Sequence, residues 1–444
     1  LILVKILFPH FIVPGPLLQT AVLSSNSGRL LVYSNGCTIY NSSNEAMENG
    51  DTIAYGEIWD YDCPYIGYPG TQNHLILPWP GDTTKAMLIY LKAKDDLTTY
   101  YLLYATLSFG LEYPMGIVTQ KDKFLLDPGT TALLTATKHA NGRDWWIILP
   151  EDNTNRFFIF LLDKNGIELK RTQSIGHPWT EREHSSQAIF TPDGDKYVRF
   201  NPWKGLDIFK FDRCAGILSE PIESGQFSNP VMELGGVASS RDSRYLYVSN
   251  RTDLFQFDLA SSNILETKRN IGHYDGFSDP FASTFYQMSL APDGKIYMFS
   301  SNGVRTLHVI NRPERKGDSC DFVQHSFPLP AYVLPGSINL PYFRLGPDDG
   351  SPCDTLDINN LPIADFRYEI DSIDPLKVYF RNLSYFNPVN FGWTFGDNKN
   401  STLKDPDHHA YTQDGEYTVC LHVSNEYGEN TFCRIISLTH TVST

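Results

Sequence analysis

QAIFTPDGDKYVRFN, residues 187–201, sets the frame for the chain, because GVASSRDSRYLYVSN (236–250) and MSLAPDGKIYMFSSN (288–302) repeat it about fifty residues apart. Each copy has a short apolar strand, a turn, and a second, aromatic-rich strand that ends at Asn201, Asn250 or Asn302. The turns are Pro192-Asp193-Gly194, Arg241-Asp242-Ser243 and Pro292-Asp293-Gly294, residue types that accept the positive φ of a tight hairpin. LSSNSGRLLVYSN (23–35) fits the frame, a weaker copy spans 133–150 and a degenerate one 81–92. A third strand follows in CTIYN, LDIFKFD, LFQFDL and TLHVIN, and a less regular fourth completes each unit. Period-2 alternation marks these as strands. One four-stranded sheet cannot bury both faces alone, whereas radial stacking of several does, so a period of this length predicts a β-propeller. About 345 residues at this period give seven blades, or six if the early copies are mostly insertion. The first and last strands of the region are expected to share a blade.

Composition agrees with an all-β protein. The chain has 444 residues, 13% aromatic, with 32 Gly and 28 Pro, which favours strands and turns over helices. Hydrophobic residues make up 41%, enough for a substantial core. Length alone suggests three domains; the repeat reduces this to two, a propeller over 1–345 and a sandwich over 362–444, joined by a linker at 346–361. With 36 Lys+Arg against 51 Asp+Glu, the net charge of −15 argues against binding nucleic acid or anionic membrane. No stretch is apolar enough to span a bilayer. The opening run Leu1–Val13 reads as a buried strand or a signal-peptide remnant.

Propeller topology sorts the loops. The Asp-Gly turns lie on one face; the Asn-ended turns, including Trp203, lie on the other with the inter-blade loops. Two inter-blade loops resemble each other, IGHPWTEREHSS from Ile175 and IGHYDGFSDP from Ile271. They place His177, Trp179, His273 and Tyr274 on that face, as a binding surface or as loop packing.

Seven cysteines include no C-x-x-C pair and no zinc-ligand spacing. Cys420 and Cys433 lie in consecutive strands, where antiparallel pairing brings them within disulfide reach. Cys37 with Cys63 and Cys320 with Cys353 are the further candidate pairs, which leaves Cys214 as a buried thiol. Bridges would imply an oxidising, extracytoplasmic setting; buried free thiols are the alternative.

After residue 361, PIADFRYEI, KVYFRNLS, FGWTF, YTVCLHVSN and NTFCRIISL are short alternating strands of a compact β-sandwich. Trp393, Phe395, Gly396, Asp397, then Pro406, His409, Tyr411, Gly415, Tyr417, Val419 and Asn425 carry a pattern that resembles the PKD domain, W-x-F-G-D-G, P-x-H-x-Y, G-x-Y-x-V and V-x-N. Asn398 stands where that family has Gly, and the Pro406–Tyr411 spacing is one residue longer. The resemblance implies an immunoglobulin-like fold in which His409 is a packing residue.

The region before it is similar to the propeller-like part of large surface proteins of gliding and predatory Bacteroidota. Segments GRLLVYSNGCTIYNSSNEAMENG (28–50), HLILPWPG (74–81), FDRCAG (211–216) and LPYFRLGPDDGSPCDTLDINNLPIADF (340–366) carry that likeness. It implies an extracellular or cell-surface protein, type IX secretion, and a place in an adhesive assembly with other subunits. It also implies O-glycan acceptors at Asp-Ser/Thr-apolar sites, namely Thr52, Thr355 and Ser372.

No G-x-S-x-G, H-E-x-x-H, Walker A or dinucleotide fingerprint is present. The carboxylate pairs Asp95-Asp96, Asp348-Asp349 and Glu181/Glu183 sit in polar turns and read as solvated surface. The acidic loop Asp397–Asp407 has oxygen ligands suited to Ca²⁺ but no EF-hand spacing, so no cofactor is expected. The expectation is a non-catalytic extracellular binding or structural module, its loop face engaging a protein or glycan and its PKD domain acting as spacer. A polysaccharide lyase or glycosidase on the channel face and a periplasmic envelope scaffold are the alternatives.

Overall fold

In the computed structural model the described residues are 20–25, 28–94, 99–129, 133–179, 186–225, 234–333, 336 and 338–439. The run Leu1–Val13 and the carboxylates Asp95-Asp96 and Glu181/Glu183 lie outside them. Two compact units divide the chain, one ending at Phe343 and the other running from Arg344, with Ala140–Gly142 grouped with the second.

Among the described residues, six four-stranded sheets make up the first unit. Blade 2 is His74–Pro78, Lys85–Ala93, Tyr100–Ser108 and Ile117–Gly129; blade 3 is Thr135–Lys138, Trp145–Pro150, Arg156–Asp163 and Gly166–Ser174. Blade 4 is Gln187–Phe190, Lys196–Asn201, Gly205–Asp212 and Ile217–Glu223. Blade 5 is Gly235–Ser239, Tyr245–Asn250, Asp253–Asp258 and Arg269–His273; blade 6 is Phe285–Leu290, Ile296–Ser300, Val304–Ile310 and Phe322–Val333. Within these five, strands pair antiparallel in chain order, the first innermost. Blade 1 differs. Its strands Thr20–Ser24, Leu30–Ser34 and Ile39–Asn41 are joined on the inner edge by Ile338–Asn339, parallel to the first. The two ends of the region do share a blade.

Among the described residues the blades number six, which corrects the seven that the repeat period favours and agrees with its alternative. After blade 6 the chain supplies Ile338–Asn339 as the inner strand of blade 1. The degenerate copy near 81–92 and the weaker one at 133–150 are blades 2 and 3, not insertions.

Repeated chemistry underlies the repeated sequence. Gly194, Ser243 and Gly294 have φ of 76°, 57° and 78°, and their N–H groups bond to Thr191, Ser240 and Ala291. At the opposite ends, the side-chain oxygens of Asn35, Asn201 and Asn250 each accept two backbone N–H groups of the following turn. The aromatics pack blade on blade: Trp145 and Phe160 with Leu77 and Ile89, Trp146 and Phe157 with Tyr197 and Phe209, Phe200 with Val237 and Leu246.

Side-chain amides link the inner strands of different blades. Gln72, just before blade 2, donates from Nε2 to the Ala188 carbonyl of blade 4 (2.7 Å) and accepts the Ala188 N–H at Oε1 (2.6 Å). Gln187 of blade 4 donates to the Met288 carbonyl of blade 6 and accepts from Val237 of blade 5 and from Met288. Gln287 donates to the Ser186 carbonyl. Asn339 donates to the carbonyls of His74 and Leu134 and accepts from Gln72. All four side chains are buried. Buried carboxamides bonded on both ends cross-link blades that share no sheet.

The second unit is a two-sheet sandwich. Phe366–Ile370, Lys377–Asn382 and His409–Ala410 form one sheet; Asn400–Ser401, Asn390–Thr394, Gly415–Asn425 and Gly428–Leu438 form the other. Trp393 is fully buried among Phe366, Phe380 and Phe395. Residues expected as a linker are bound to this unit: Asn425 of the sandwich donates to the Asn360 carbonyl, and Asn360 in turn donates to the Pro347 carbonyl.

Candidate functional site

The most unusual side chains of the propeller meet at the seam of blades 3 and 4, on the face of the inter-blade loops. Arg199 and Asp207 are directly opposite in neighbouring strands, and both are fully buried. Two residues from the turn in blade 3 the equivalent pair is Ile148 and Ile159, and in blade 5 it is Val248 and Phe255. Blade 4 thus places an ion pair where its neighbours place apolar contact. Arg199 Nε donates to Asp207 Oδ2 at 2.9 Å, and the guanidinium lies 4.0 Å from the Trp179 ring and 5.1 Å from Phe157.

Asp207 Oδ1 is buried without a hydrogen-bond partner among the described residues. It lies 3.9 Å from His177 Nδ1, which lies 3.0 Å from Glu223 Oε1. Burial pushes the Asp207 carboxyl above its ordinary range, although Arg199 and His177 both pull it down. Glu223 also accepts the His177 backbone N–H. The loop reaches this position through Gly176, with φ of 74°, where a Cβ would come 2.4 Å from Glu223 Oε1. His177, Asp207 and Glu223 each offer one ligand atom, all within 4.8 Å of one another.

Of the residues expected to form the binding face, His177 belongs to this cluster. Trp179 does not face solvent: it is fully buried, because its ring covers Arg199. Trp203 is 38% exposed on the turn next to the cluster, with its N–H on Asn201. The matching loop at 271 behaves differently. His273 is exposed and bonds to Asp253 of its own blade, and Tyr274 is half-buried against Phe285. Beside it, His325 bonds to Asp275 and stacks on Phe277. Beneath them the buried His308 accepts the His325 N–H at Nδ1 and contacts Ser283 through Nε2. Desolvation lowers the His308 pKa to about 4. Sequence reading missed Arg199, Asp207 and Glu223. The signal was present: a charge in the buried phase of each of two consecutive strands, at mirror positions about one turn.

Cys37–Cys63 and Cys420–Cys433 are bridged, the latter at directly opposed register positions. The expected Cys320–Cys353 bridge and free Cys214 are corrected: Cys214 and Cys353 are both disulfide-bonded, and Cys320 is the free thiol. Cys320 is held in the core between blades 5 and 6, beside Tyr247 and Met298. Among the glycan-acceptor candidates, Thr355 and Ser372 are exposed and Thr52 half-buried. The Asp371 carboxylate caps the backbone of Ile373 and Asp374.

In the sandwich, His409 Nε2 is 2.9 Å from Asp397 and its ring stacks on Phe395 at 4.0 Å. Tyr411 donates to the Phe395 carbonyl, and Asn425 donates to the Asn360 and Phe386 carbonyls. Gly396 has φ of 81° and Asn398 66°, so Asn takes the left-handed position where Gly is usual. Tyr417 packs on Tyr411, and Gly415 opens its strand. In the acidic loop, Asp405 accepts the Asn382 N–H and Asp397 also pairs with Lys399.

No curated protein sequence matches the chain. Among solved structures, the PKD1 domain of the Vibrio cholerae metalloprotease PrtV is 30% identical over 18% of this chain and 98% of its own, with a TM-score of 0.17. A calcium-binding protein, regucalcin, from Agrobacterium tumefaciens is 13% identical over 75% of this chain and 96% of its own, TM-score 0.36. A Bacteroides fragilis protein described as a candidate 6-phosphogluconolactonase is 12% identical over 71% and 96%, TM-score 0.37. No helix among the described residues is long and apolar enough to cross a membrane. The disulfides and the C-terminal module point to an extracellular or surface protein. Residues 359–440 match the PKD domain model, and this part of the chain belongs to the PKD domain family.

Proposed function

We propose that the chain is a non-catalytic extracellular binding module, in which the inter-blade loop face engages a protein or glycan partner and the PKD domain acts as spacer in a surface assembly. The amide links between inner strands carry this reading. Gln72, Gln187, Gln287 and Asn339 spend their hydrogen-bonding groups on the inner strands, and none of them is an acid or base able to move a proton near neutral pH. Binding then falls to the loop face, where Trp203 and Phe281, 38% and 61% exposed, supply the aromatic surface that interfaces favour. Export by a type IX route in a member of the Bacteroidota fits the sequence likeness and belongs to the same proposal.

Affinity electrophoresis of the purified chain against a polysaccharide panel, with a parallel assay for new reducing or unsaturated ends, tests it. Retention weakened at least tenfold by Trp203→Ala together with Phe281→Ala, without products, supports a glycan partner. No retention, with capture of a surface protein lost in the same variant, supports a protein partner. Product formation overturns the non-catalytic reading.

A further inference from the structure

From the geometry at the seam of blades 3 and 4 we infer a divalent transition-metal site, with Zn²⁺ as the fitting ion, held by His177 Nδ1, Asp207 Oδ1 and Glu223 Oε1. Three observations converge on it. The ligand atoms are already gathered within 4.8 Å of one another from three separate segments, so the chain needs no refolding to close on an ion. Asp207 is fully buried, yet Oδ1 has no hydrogen-bond partner among the described residues and is turned toward His177. Blades 3 and 5 place Ile148 with Ile159 and Val248 with Phe255 at the corresponding register, so the neighbouring blades fold without the buried charge.

The donor set selects the metal. One imidazole nitrogen with two carboxylate oxygens suits Zn²⁺ and its neighbours in the transition series, whereas Ca²⁺ and Mg²⁺ want oxygen throughout. Three protein ligands leave a coordination position for solvent, and His177 and Glu223 are half-buried, so an ion can enter from the loop face. Arg199 acts on the other carboxylate oxygen. Its bond to Oδ2 fixes the Asp207 plane and leaves Oδ1 as the donor, the usual work of a group behind a metal ligand. Trp179 over the guanidinium keeps Arg199 in place. Gly176 lets the His177 N–H close on Glu223, which orients the third ligand. The competing arrangement is His177 Nδ1 lying between the Glu223 and Asp207 carboxylates with no metal.

The test uses the whole chain, stripped with chelator and titrated with Zn²⁺ by calorimetry and with Co²⁺ by visible absorption at pH 7.5. One equivalent should bind, raise the unfolding midpoint, and shift one histidine Nδ1 resonance in a long-range ¹H–¹⁵N spectrum. His177→Gln and Glu223→Gln should each weaken binding at least tenfold, while His273→Gln, at the exposed His–Asp pair of blade 5, should not. If the wild-type chain binds no equivalent at 100-fold excess of Zn²⁺, or if His177→Gln binds as well as wild type, the site is the metal-free arrangement and the inference is overturned. Should a variant fail to fold, the histidine resonance of the wild-type chain decides alone: no shift at Nδ1 on Zn²⁺ addition rejects the site.

Discussion

Gly176 shows how a single atom can govern the loop that carries His177. A methyl group there meets both the Glu223 carboxylate and the Phe209 ring, on a backbone already in the left-handed region. Gly176→Ala should cost about 1–3 kcal/mol in denaturant unfolding, by the usual scale for strain at such positions. Cys320 is a second case. Burial pushes its thiol up to about 11, so little thiolate forms at pH 8. Thiol reagent should leave the folded protein unlabelled and modify one cysteine once it is unfolded without reductant; labelling at the native rate of an exposed thiol would contradict the burial. His308 sets a pH dependence whose sign follows from its surroundings. Its Nδ1 already accepts the His325 N–H, so a proton there displaces a bond, and its value of about 4 lies below the ordinary 6.5. Between those values the unfolded chain holds a proton that the folded chain does not. The contribution of His308 is therefore complete above pH 6.5 and is lost as pH falls through this window, by on the order of 3 kcal/mol. His308→Gln should flatten that part of a stability–pH curve measured by denaturant unfolding.

Among elements, the sandwich hairpin Gly415–Asn425 with Gly428–Leu438 was readable from alternation alone, because a two-residue turn fixes the register and the register puts Cys420 against Cys433. Closing a loop of this length restricts the unfolded chain, so a Cys420→Ala, Cys433→Ala double variant should lose about 3 kcal/mol by urea unfolding. Disulfides between distant elements were not legible, and Cys320 was assigned a partner for want of any local signal that it lies in a core. The Asp-Gly and Asn turns were legible because each is a local device: a positive φ or a side-chain cap acts within a few residues. Arg199 and Asp207 went unread for the opposite reason. Period-2 patterning locates them in the buried phase, but whether a buried charge finds its counterion depends on the cross-strand register, which the loop residues 202–204 decide. Trp179 was misplaced on the same ground: a tryptophan beside a histidine in a loop looks like surface until the guanidinium beneath it is known.

For the whole propeller, blade number is a property of closure and not of any one repeat, which is why seven and six could both be read from the same period. Closure here rests on Ile338–Asn339. Asn339→Ala would strip the donors from the buried carbonyls of His74 and Leu134 and the acceptor from Gln72, and should cost about 1–3 kcal/mol while broadening the unfolding transition. The same feature has a meaning in time. The residues that latch blade 1 to blade 6 are made after every other strand of the wheel, so a nascent chain can pair each blade locally but cannot close the ring until its last turn has emerged. A ring shut by its own final strand is completed last: a chain broken off before residue 338 lacks both the strand that pairs with Thr20 and Ala21 and the amide that bonds His74, Leu134 and Gln72.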